Sequence, residues 1–149
     1  MNAKTLFGHW DQVRADLLRA LDRVTDEQLT FTPREGLWPL GRVAVHIASA
    51  EDGWFRYVVQ RQLPGWPGLK AEDYPTVGAI RALLNEVHAR TDAYLETVDA
   101  ADLDRIIETP WGESLSLRWI VWHVLEHEIH HRGEIFLMLG LLGLEAPDI

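Results

Sequence analysis

Histidine residues are concentrated in one short stretch near the end of the chain. The sequence contains seven histidines, and four of them, His123, His127, His130 and His131, fall within residues 123–131. An α-helix turns by about 100° per residue, so residues 123, 127 and 131 would share one helix face within an arc of about 80°. The spacing therefore predicts an inward-facing row of imidazoles, whose nitrogens are common ligands of divalent transition metals.

A single metal ion can use only part of this row. The rise from residue 123 to residue 131 is about 12 Å, so one ion must take an adjacent pair, either His123 with His127 or His127 with His131. Two ligands hold a metal weakly, and a third must come from another helix. We expect His46 to be that ligand, because it lies among apolar residues of a second predicted helix. Three neutral imidazoles would leave the charge of the ion intact and a position open for water or substrate.

The other histidines have weaker cases. His123 is either a metal ligand or a neighbour that supports the ligands. We predict that His88 and His130 lie on the surface or contact a partner, and that His9 has no role in a site. For His46 considered by itself, the alternative is a core histidine with an ordinary hydrogen-bond partner.

Residues 127–131 also match the motif His-Glu-x-x-His of zinc metalloproteases. In that motif the glutamate, here Glu128, acts as a general base. A protease of this kind needs a third ligand downstream, and the residues after His131 include no histidine. The sequence does not favour a protease, although Glu128 remains a candidate proton carrier.

Periodic apolar residues predict the helices that position these groups. Apolar side chains recur every three or four positions in four segments. Thr76 is a predicted N-cap, and glycines near residue 140 can end the last helix. The residues 25–39 are expected to form an irregular connection, and a loop is expected at 110–112. The sequence predicts an all-α four-helix bundle in one domain over residues 1–149, with helices at residues 5–24, 40–62, 76–98, and 116–140 or 116–143.

Composition excludes several classes of function. A net charge of -9 and a pI near 5.1 argue against binding to nucleic acid, since nucleic-acid binders normally carry a basic face. The chain has no cysteine, which excludes a disulfide scaffold, a thiolate metal site and a cysteine nucleophile. The N-terminal residues lack an apolar signal core, and the longest uncharged apolar stretch, 135–144, is shorter than the roughly 18 residues of a membrane span. We expect a cytoplasmic protein without membrane contact.

Two segments resemble those of a known family. Residues 40–54 read LGRVAVHIASAEDGW and place His46, Glu51 and Trp54 in the pattern His-x4-Glu-x2-Trp, and residues 122–135 read WHVLEHEIHHRGEI. With these segments the chain resembles the DinB-like proteins, also called DinB/YfiT-like metalloenzymes, over essentially its whole length. Glu51 is not expected to be a ligand, because it is five residues past His46 and points to another side of the helix.

The resemblance implies a four-helix bundle that is often a homodimer. It also implies a divalent ion, zinc or nickel, held by His46, His127 and His131, and so selects the second of the two histidine pairs. Glu134 stands where the family frequently has glutamine or glutamate. Its place three residues past His131 makes it a candidate pocket residue or proton carrier.

Three functions remain open for such a protein, and in each the expected partner is a small molecule. Relatives in this superfamily include thiol-dependent transferases and isomerases, so the first is a metal-dependent enzyme that uses a small thiol cosubstrate. The sulfur would have to arrive with that cosubstrate, because the chain has no cysteine. The second is a metal-dependent hydrolase in which Glu128 or Glu134 carries protons. The third is a non-catalytic stress-response bundle that binds metal or a small ligand, with a pocket mouth lined by Trp38, Trp54, Trp66 and Trp111.

Overall fold

Long helices form the frame of the molecule, described here by a computed structural model of residues 1–149. Helices α3 and α5 supply the predicted metal ligands, and α2 and α4 pack beside them. A short helix, α1, precedes α2. The bounds of the helices are α1 Ala3–Leu6, α2 His9–Leu21, α3 Leu40–Asp52, α4 Val77–Glu96 and α5 Leu117–Leu141.

The first predicted helix is divided in two. The side chain of Asn2 caps α1 by accepting a hydrogen bond from the Thr5 amide at 2.9 Å. The Ala3 amide donates to the Val98 carbonyl at 2.8 Å, which ties the start of the chain to the end of α4. The chain then turns at Gly8 before α2 begins. The prediction of one helix over residues 5–24 was therefore wrong at its start, because a long-range contact sets the direction of α1.

The helix α4 has the predicted N-cap, and α5 begins at the predicted position with a serine cap. The Thr76 hydroxyl accepts a hydrogen bond from the Ala79 amide at 3.1 Å, and Ser116 does the same for the Trp119 amide at 3.1 Å. Gly143 follows α5 with a φ of 75°, a backbone conformation that favours glycine. The local signals of capping and periodicity were sufficient to place both helices.

A small hairpin corrects the expected all-α class. Strands β1 (Ile106–Glu108) and β2 (Ser114–Ser116) pair antiparallel, with Ile106 opposite Ser116. The turn between them includes Gly112, whose φ is 92°. Three-residue strands are too short to show an alternating pattern, so the sequence predicted only a loop here.

The α3 helix continues as a wider π-helix over Gly53–Val59, so the helical segment predicted for residues 40–62 ends three residues early. Trp66, in the loop that follows, packs its indole against the bare backbone of Gly53. A Cβ at Gly53 would lie 2.5 Å from two ring carbons of Trp66. Only glycine allows this close approach.

The replacement Gly53→Ala is expected to displace Trp66 and to lower the free energy of unfolding by about 1–3 kcal/mol, as overpacking does. Urea unfolding and the tryptophan emission maximum measure both effects. Gly78→Ala is the matched control, because a Cβ there meets nothing within 4 Å. It should stabilise α4 by about 0.5–1 kcal/mol, and an equal gain from Gly53→Ala would contradict the prediction.

Two hydrophobic clusters fill the bundle on either side of a buried polar layer. One cluster contains Leu17, Ile47, Leu84 and Leu139. The other contains Trp10, Phe55, Leu95 and Ile120. In each of the four long helices, a buried polar residue separates the segment in the first cluster from the segment in the second. These residues are Arg14 in α2, Glu51 in α3, His88 in α4 and Glu128 in α5.

Part of α5 remains exposed to solvent. Trp122, Ile129, Leu137 and Leu141 are exposed apolar side chains on this helix. The homodimer that the resemblance implies remains a prediction. None of the helices combines the length and the apolarity that crossing a membrane requires.

Candidate metal centre

The structure brings the three predicted ligands together. His46 projects from α3 toward α5, where His127 and His131 lie one turn apart. The Nε2 atoms of His46 and His127 are 2.9 Å apart. The ring centroids are 4.8 Å apart for His46 with His127, 4.8 Å for His46 with His131, and 4.4 Å for His127 with His131. One potential ligand atom from each residue lies within 4.8 Å of the other two.

This geometry fits a divalent transition metal. Zinc binds imidazole nitrogen at about 2.0–2.1 Å, so two nitrogens of a tetrahedral ion are about 3.3 Å apart. The observed 2.9 Å between His46 and His127 differs from that by a few tenths of an ångström. Three nitrogen donors also leave a fourth position free. The residues present are therefore suited to hold such an ion.

The electrostatic environment favours the neutral form of the ligands. Burial, together with the neighbouring imidazoles of His131 and His46, lowers the pKa of His127 to about 3. Burial and the imidazole of His131 likewise lower the pKa of His46 below 6.5. Metals bind the deprotonated imidazole. Near neutral pH, protons therefore compete little with a cation for these two residues.

Glu134 orients the third ligand. Its Oε2 lies 3.0 Å from Nδ1 of His131, and its Oε1 lies 3.0 Å from Nε2 of His130. A carboxylate on Nδ1 keeps the proton there and leaves Nε2 of His131 as the metal-binding atom. Glu134 also lines the cavity beside His131. His130 is exposed, as predicted.

The structure does not bring Glu128 to the histidine cluster. Glu128 follows His127 directly, so it points about 100° away around α5. Its carboxylate accepts hydrogen bonds from Arg14 Nε at 2.7 Å and from Trp10 Nε1 at 2.7 Å, deep in the core. A carboxylate with these partners is shielded from any substrate at the histidines. The motif of residues 127–131 is thus divided between the histidine cluster, which contains His127 and His131, and a buried ion pair, which contains Glu128.

His88 belongs to the same buried layer, and the prediction of a surface position was wrong. The residue is 7% exposed. Its Nδ1 lies 2.9 Å from Oε1 of Glu51, whose other oxygen accepts a hydrogen bond from Arg14 at 2.6 Å. Its Nε2 faces Asp11 and Asp92 at 3.6 and 3.8 Å. Glu51 is the glutamate of the motif that contains His46, and it holds the bundle together rather than a metal.

Charges in the layer shift one another's pKa values. Burial by itself would raise the pKa of Glu51, but the Arg14 guanidinium and His88 outweigh it and lower that pKa to about 2. Burial would lower the pKa of His88, but the hydrogen bond and charge of Glu51 raise it above 6.5. The imidazolium form of His88 is therefore stabilised by folding.

Stability should depend on pH through His88. A group whose pKa is raised by folding contributes fully below its unfolded pKa and loses that contribution as the pH rises through its folded pKa. In chelator-treated protein, we expect His88→Gln to reduce the free energy of unfolding more at about pH 6 than at about pH 9. Urea unfolding at the two pH values measures this. An equal loss at both would mean that His88 contributes packing and not charge.

The tryptophans near the centre divide into two groups. Trp54 and Trp111 pack edge to face with centroids 5.6 Å apart, and Trp54 also contacts His123 at 5.2 Å. His123 stacks on Trp119 at 4.7 Å, and it does not join the metal cluster. Trp38 and Trp66, by contrast, line cavities next to the ligands. Two of the four tryptophans proposed for a pocket mouth are therefore at the cavities.

Sequence reasoning missed Arg14, Arg42 and Lys70. Arg14 has a signal in the sequence, since it lies beside Val13 and four residues after Trp10, on the apolar side of its helix. A charged residue in that position needs a buried partner. Arg42 and Lys70 have no such signal, because exposed cations are common on any surface.

Comparisons with known proteins agree with this architecture. A family model described as the DinB superfamily matches residues 9–135. A DinB-like protein from Bacillus cereus superposes with a TM-score of 0.80 at 24% identity and covers 99% of this chain and 97% of that chain. YfiT from Bacillus subtilis is described as a probable metal-dependent hydrolase with an unusual four-helix bundle topology. It superposes with a TM-score of 0.75 over 96% of this chain and 89% of its own. The two sequences are 27% identical in an alignment of 146 positions that covers 87% of this chain and 82% of YfiT.

A mycothiol-dependent maleylpyruvate isomerase shares the fold at greater distance. Its TM-score is 0.66 at 14% identity, with 91% of this chain and 61% of that chain covered. Structural likenesses at such low identity concern the fold alone.

Proposed function

Since the chain belongs to the DinB superfamily, we propose that it is a divalent-metal protein that acts on small molecules, as a thiol-dependent transferase or isomerase. The observation that carries the proposal is the approach of three imidazoles from two helices, with Nε2 of His46 and His127 2.9 Å apart. Such an arrangement places polar rings where leucine would pack better, which a cation site explains and core packing does not. The ligands proposed are His46, His127 and His131.

A cation on three neutral imidazoles would supply Lewis acidity that lowers the pKa of a thiol or a water molecule. The side chains of this chain do the rest. Glu134 holds the proton on Nδ1 of His131 and so fixes the ring that faces the cluster. Trp38 lies edge to face on His46 at 4.9 Å and shields that ligand from water.

Glu134 is also our candidate for proton transfer at the site. Its carboxylate is partly exposed and lines the cavity that contains His131, so it can accept a proton from a substrate there. We propose no proton transfer by Glu128, which is buried in the core with Arg14 and Trp10 and lines neither cavity beside the histidines.

Two observations favour different chemistries at this site. The first candidate, a thiol cosubstrate, takes its chemistry from a mycothiol-dependent isomerase that shares only the fold, and the sulfur would have to come from that cosubstrate because the chain has no cysteine. The likeness to YfiT supports a hydrolase as the second candidate. Multiple turnovers of a small thiol with an alkylating electrophile would support the first. Ester or amide hydrolysis without thiol would support the second, and stoichiometric uptake alone would indicate a binding protein.

Metal content tests the proposal most directly. Untagged protein, dialysed against zinc or nickel and then against buffer, should retain about one equivalent of metal per chain. His46→Ala, His127→Ala and His131→Ala should each lose it, because two imidazoles hold metal weakly. His123→Ala and His130→Ala are matched controls on the same helix, and both should retain the metal. A metal-free wild type, or a loss of metal in His123→Ala, would contradict the proposed ligand set.

A further inference from the structure

Two cavities flank the histidine cluster and share one wall. The first, of about 440 Å³, contains His131 in its lining. The second, of about 500 Å³, contains His46. Trp38 lines both. Its indole is held between the Arg42 guanidinium, 4.3 Å from the ring centroid, and the ring of His46. The ring centroids of His46 and His131 are 4.8 Å apart, so both cavities adjoin the same pair of imidazoles. A ligand that extended past Trp38 from one cavity into the other would lie beside them.

The two cavities differ in chemical character. The first is bordered by Leu37, Leu137 and Met138. Leu137 is 65% exposed and Leu37 is 56% exposed, so a ligand there would remove apolar surface from water. The second cavity is bordered by Arg42 and Lys70.

The basic residues around these cavities have no acidic or hydrogen-bonding partner within the protein. Three of the lysine and arginine side chains, Arg34, Arg42 and Lys70, form neither an ion pair nor a hydrogen bond within the protein. All the others form at least one. Two of the three line the second cavity. The third lies in the loop between Pro33 and Gly36, which both line the first cavity. In a chain of net charge -9, unpaired cations are thus gathered at the metal centre.

The balance of charge suggests the valence of the ligand. Glu72 is the one carboxylate in the lining of the second cavity. Without any metal ion, the side chains of Arg42, Lys70 and Glu72 give this cavity a net charge of plus one, so the cavity attracts an anionic group by its own residues. A carboxylate is such a group, and arginine binds carboxylates through two parallel hydrogen bonds.

We propose that the site takes a monoanionic amphiphile, a small carboxylic acid whose carboxylate binds Arg42 and Lys70 and whose apolar part occupies the cavity next to His131. The inference rests on the proposed function, since it assigns the substrate class of the same centre. In this arrangement the carboxylate lies in the cavity that His46 lines, the apolar part lies in the cavity that His131 lines, and the middle of the molecule passes the histidine cluster.

Calorimetric titration with octanoate and its neutral analogue octanamide tests the assignment. Both probes are titrated into chelator-treated and zinc-loaded protein. Wild type should bind octanoate about tenfold more tightly than octanamide in both forms, the gain expected of one well-placed charge pair. In the double variant Arg42→Gln, Lys70→Gln, this preference should fall to about twofold, with the affinity for octanamide unchanged.

Single variants separate the two ends of the ligand. Lys70→Gln alone should lower the affinity for octanoate only, and it leaves the stacking of Arg42 on Trp38 intact. Leu137→Asn should weaken both probes by a similar factor, about three- to tenfold. Glu72→Gln should tighten octanoate about twofold. Arg118→Gln, which removes an exposed cation paired with Asp104 elsewhere, should change neither probe.

Equal affinities of wild type for the two probes would overturn the proposal. So would a preference for octanoate that appears only with zinc and survives the double variant, because the carboxylate would then bind the ion. Zinc content measured on the same samples separates this proposal from the function above. If the protein binds zinc but does not prefer octanoate to octanamide, only the proposed carboxylate ligand is contradicted. If it prefers octanoate but binds no zinc, only the proposed metal site is contradicted.

Discussion

Replacing Arg14 by leucine is expected to lower the free energy of unfolding by about 3–5 kcal/mol, the cost of breaking a buried ion pair from one side. Arg14 is 3% exposed. It donates hydrogen bonds to Glu51 at 2.6 Å, to Glu128 at 2.7 Å and to the carbonyl of Leu84 at 2.7 Å. The variant would leave two carboxylates buried without a cation. Urea unfolding followed by circular dichroism measures the loss.

Two further variants make the result specific to the buried layer. Arg81→Leu removes a partly exposed arginine that pairs with Asp22 at 2.8 Å, and it should cost less than about 1 kcal/mol. Adding Glu51→Gln and Glu128→Gln to the Arg14→Leu variant should restore part of the stability, because it removes the unpaired charges. A loss in Arg14→Leu no larger than that in Arg81→Leu would show that the layer does not stabilise the fold.

Zinc binding should raise the melting temperature by on the order of 10 °C when free zinc exceeds its dissociation constant about a thousandfold. A ligand at that concentration contributes about 4 kcal/mol if it binds only the native state, and each kcal/mol shifts a domain of this size by about 2–4 °C. His46 and His127 are 81 positions apart, so unfolding separates them. Differential scanning calorimetry with zinc and with chelator measures the shift.

Variants and a second cation again supply the controls. His127→Ala should abolish the thermal shift, while His123→Ala should keep it. Magnesium, which prefers oxygen ligands, should produce no shift in the wild type. If zinc stabilises His127→Ala as strongly as the wild type, the cation binds elsewhere and the three-histidine centre is wrong.

The parts of the fold that local signals determine were predictable. Thr76 and Ser116 cap the helices α4 and α5 where the sequence placed their starts. The break between α1 and α2 was not predictable from local signals, because it depends on the hydrogen bond from the Ala3 amide to the Val98 carbonyl. The contact of Trp66 with Gly53 was missed for the same reason, since Trp66 lies in a separate loop.

The candidate site shows the same division. The row of histidines on α5 follows from spacing alone, and the resemblance to the DinB-like proteins selected the pair 127/131, which the structure places beside His46. The positions of Glu128 and His88 could not be derived, because their partners are distant in sequence. Arg14 is 114 positions from Glu128, and Glu51 is 37 positions from His88. A short motif cannot reveal that its glutamate is already engaged.

The polar layer also fixes the register of α3 relative to α5. Arg14 binds Glu51 of one helix and Glu128 of the other, and these residues are near neighbours in sequence of His46 and His127. If either helix slid by one turn, about 5.4 Å, its glutamate would lose the bond to Arg14 and lie among apolar side chains. Only one register satisfies both glutamates, and in that register the two imidazoles meet. We therefore expect substitutions among the three histidines to leave the helices in place, and substitutions in the polar layer to change the distance between His46 and His127.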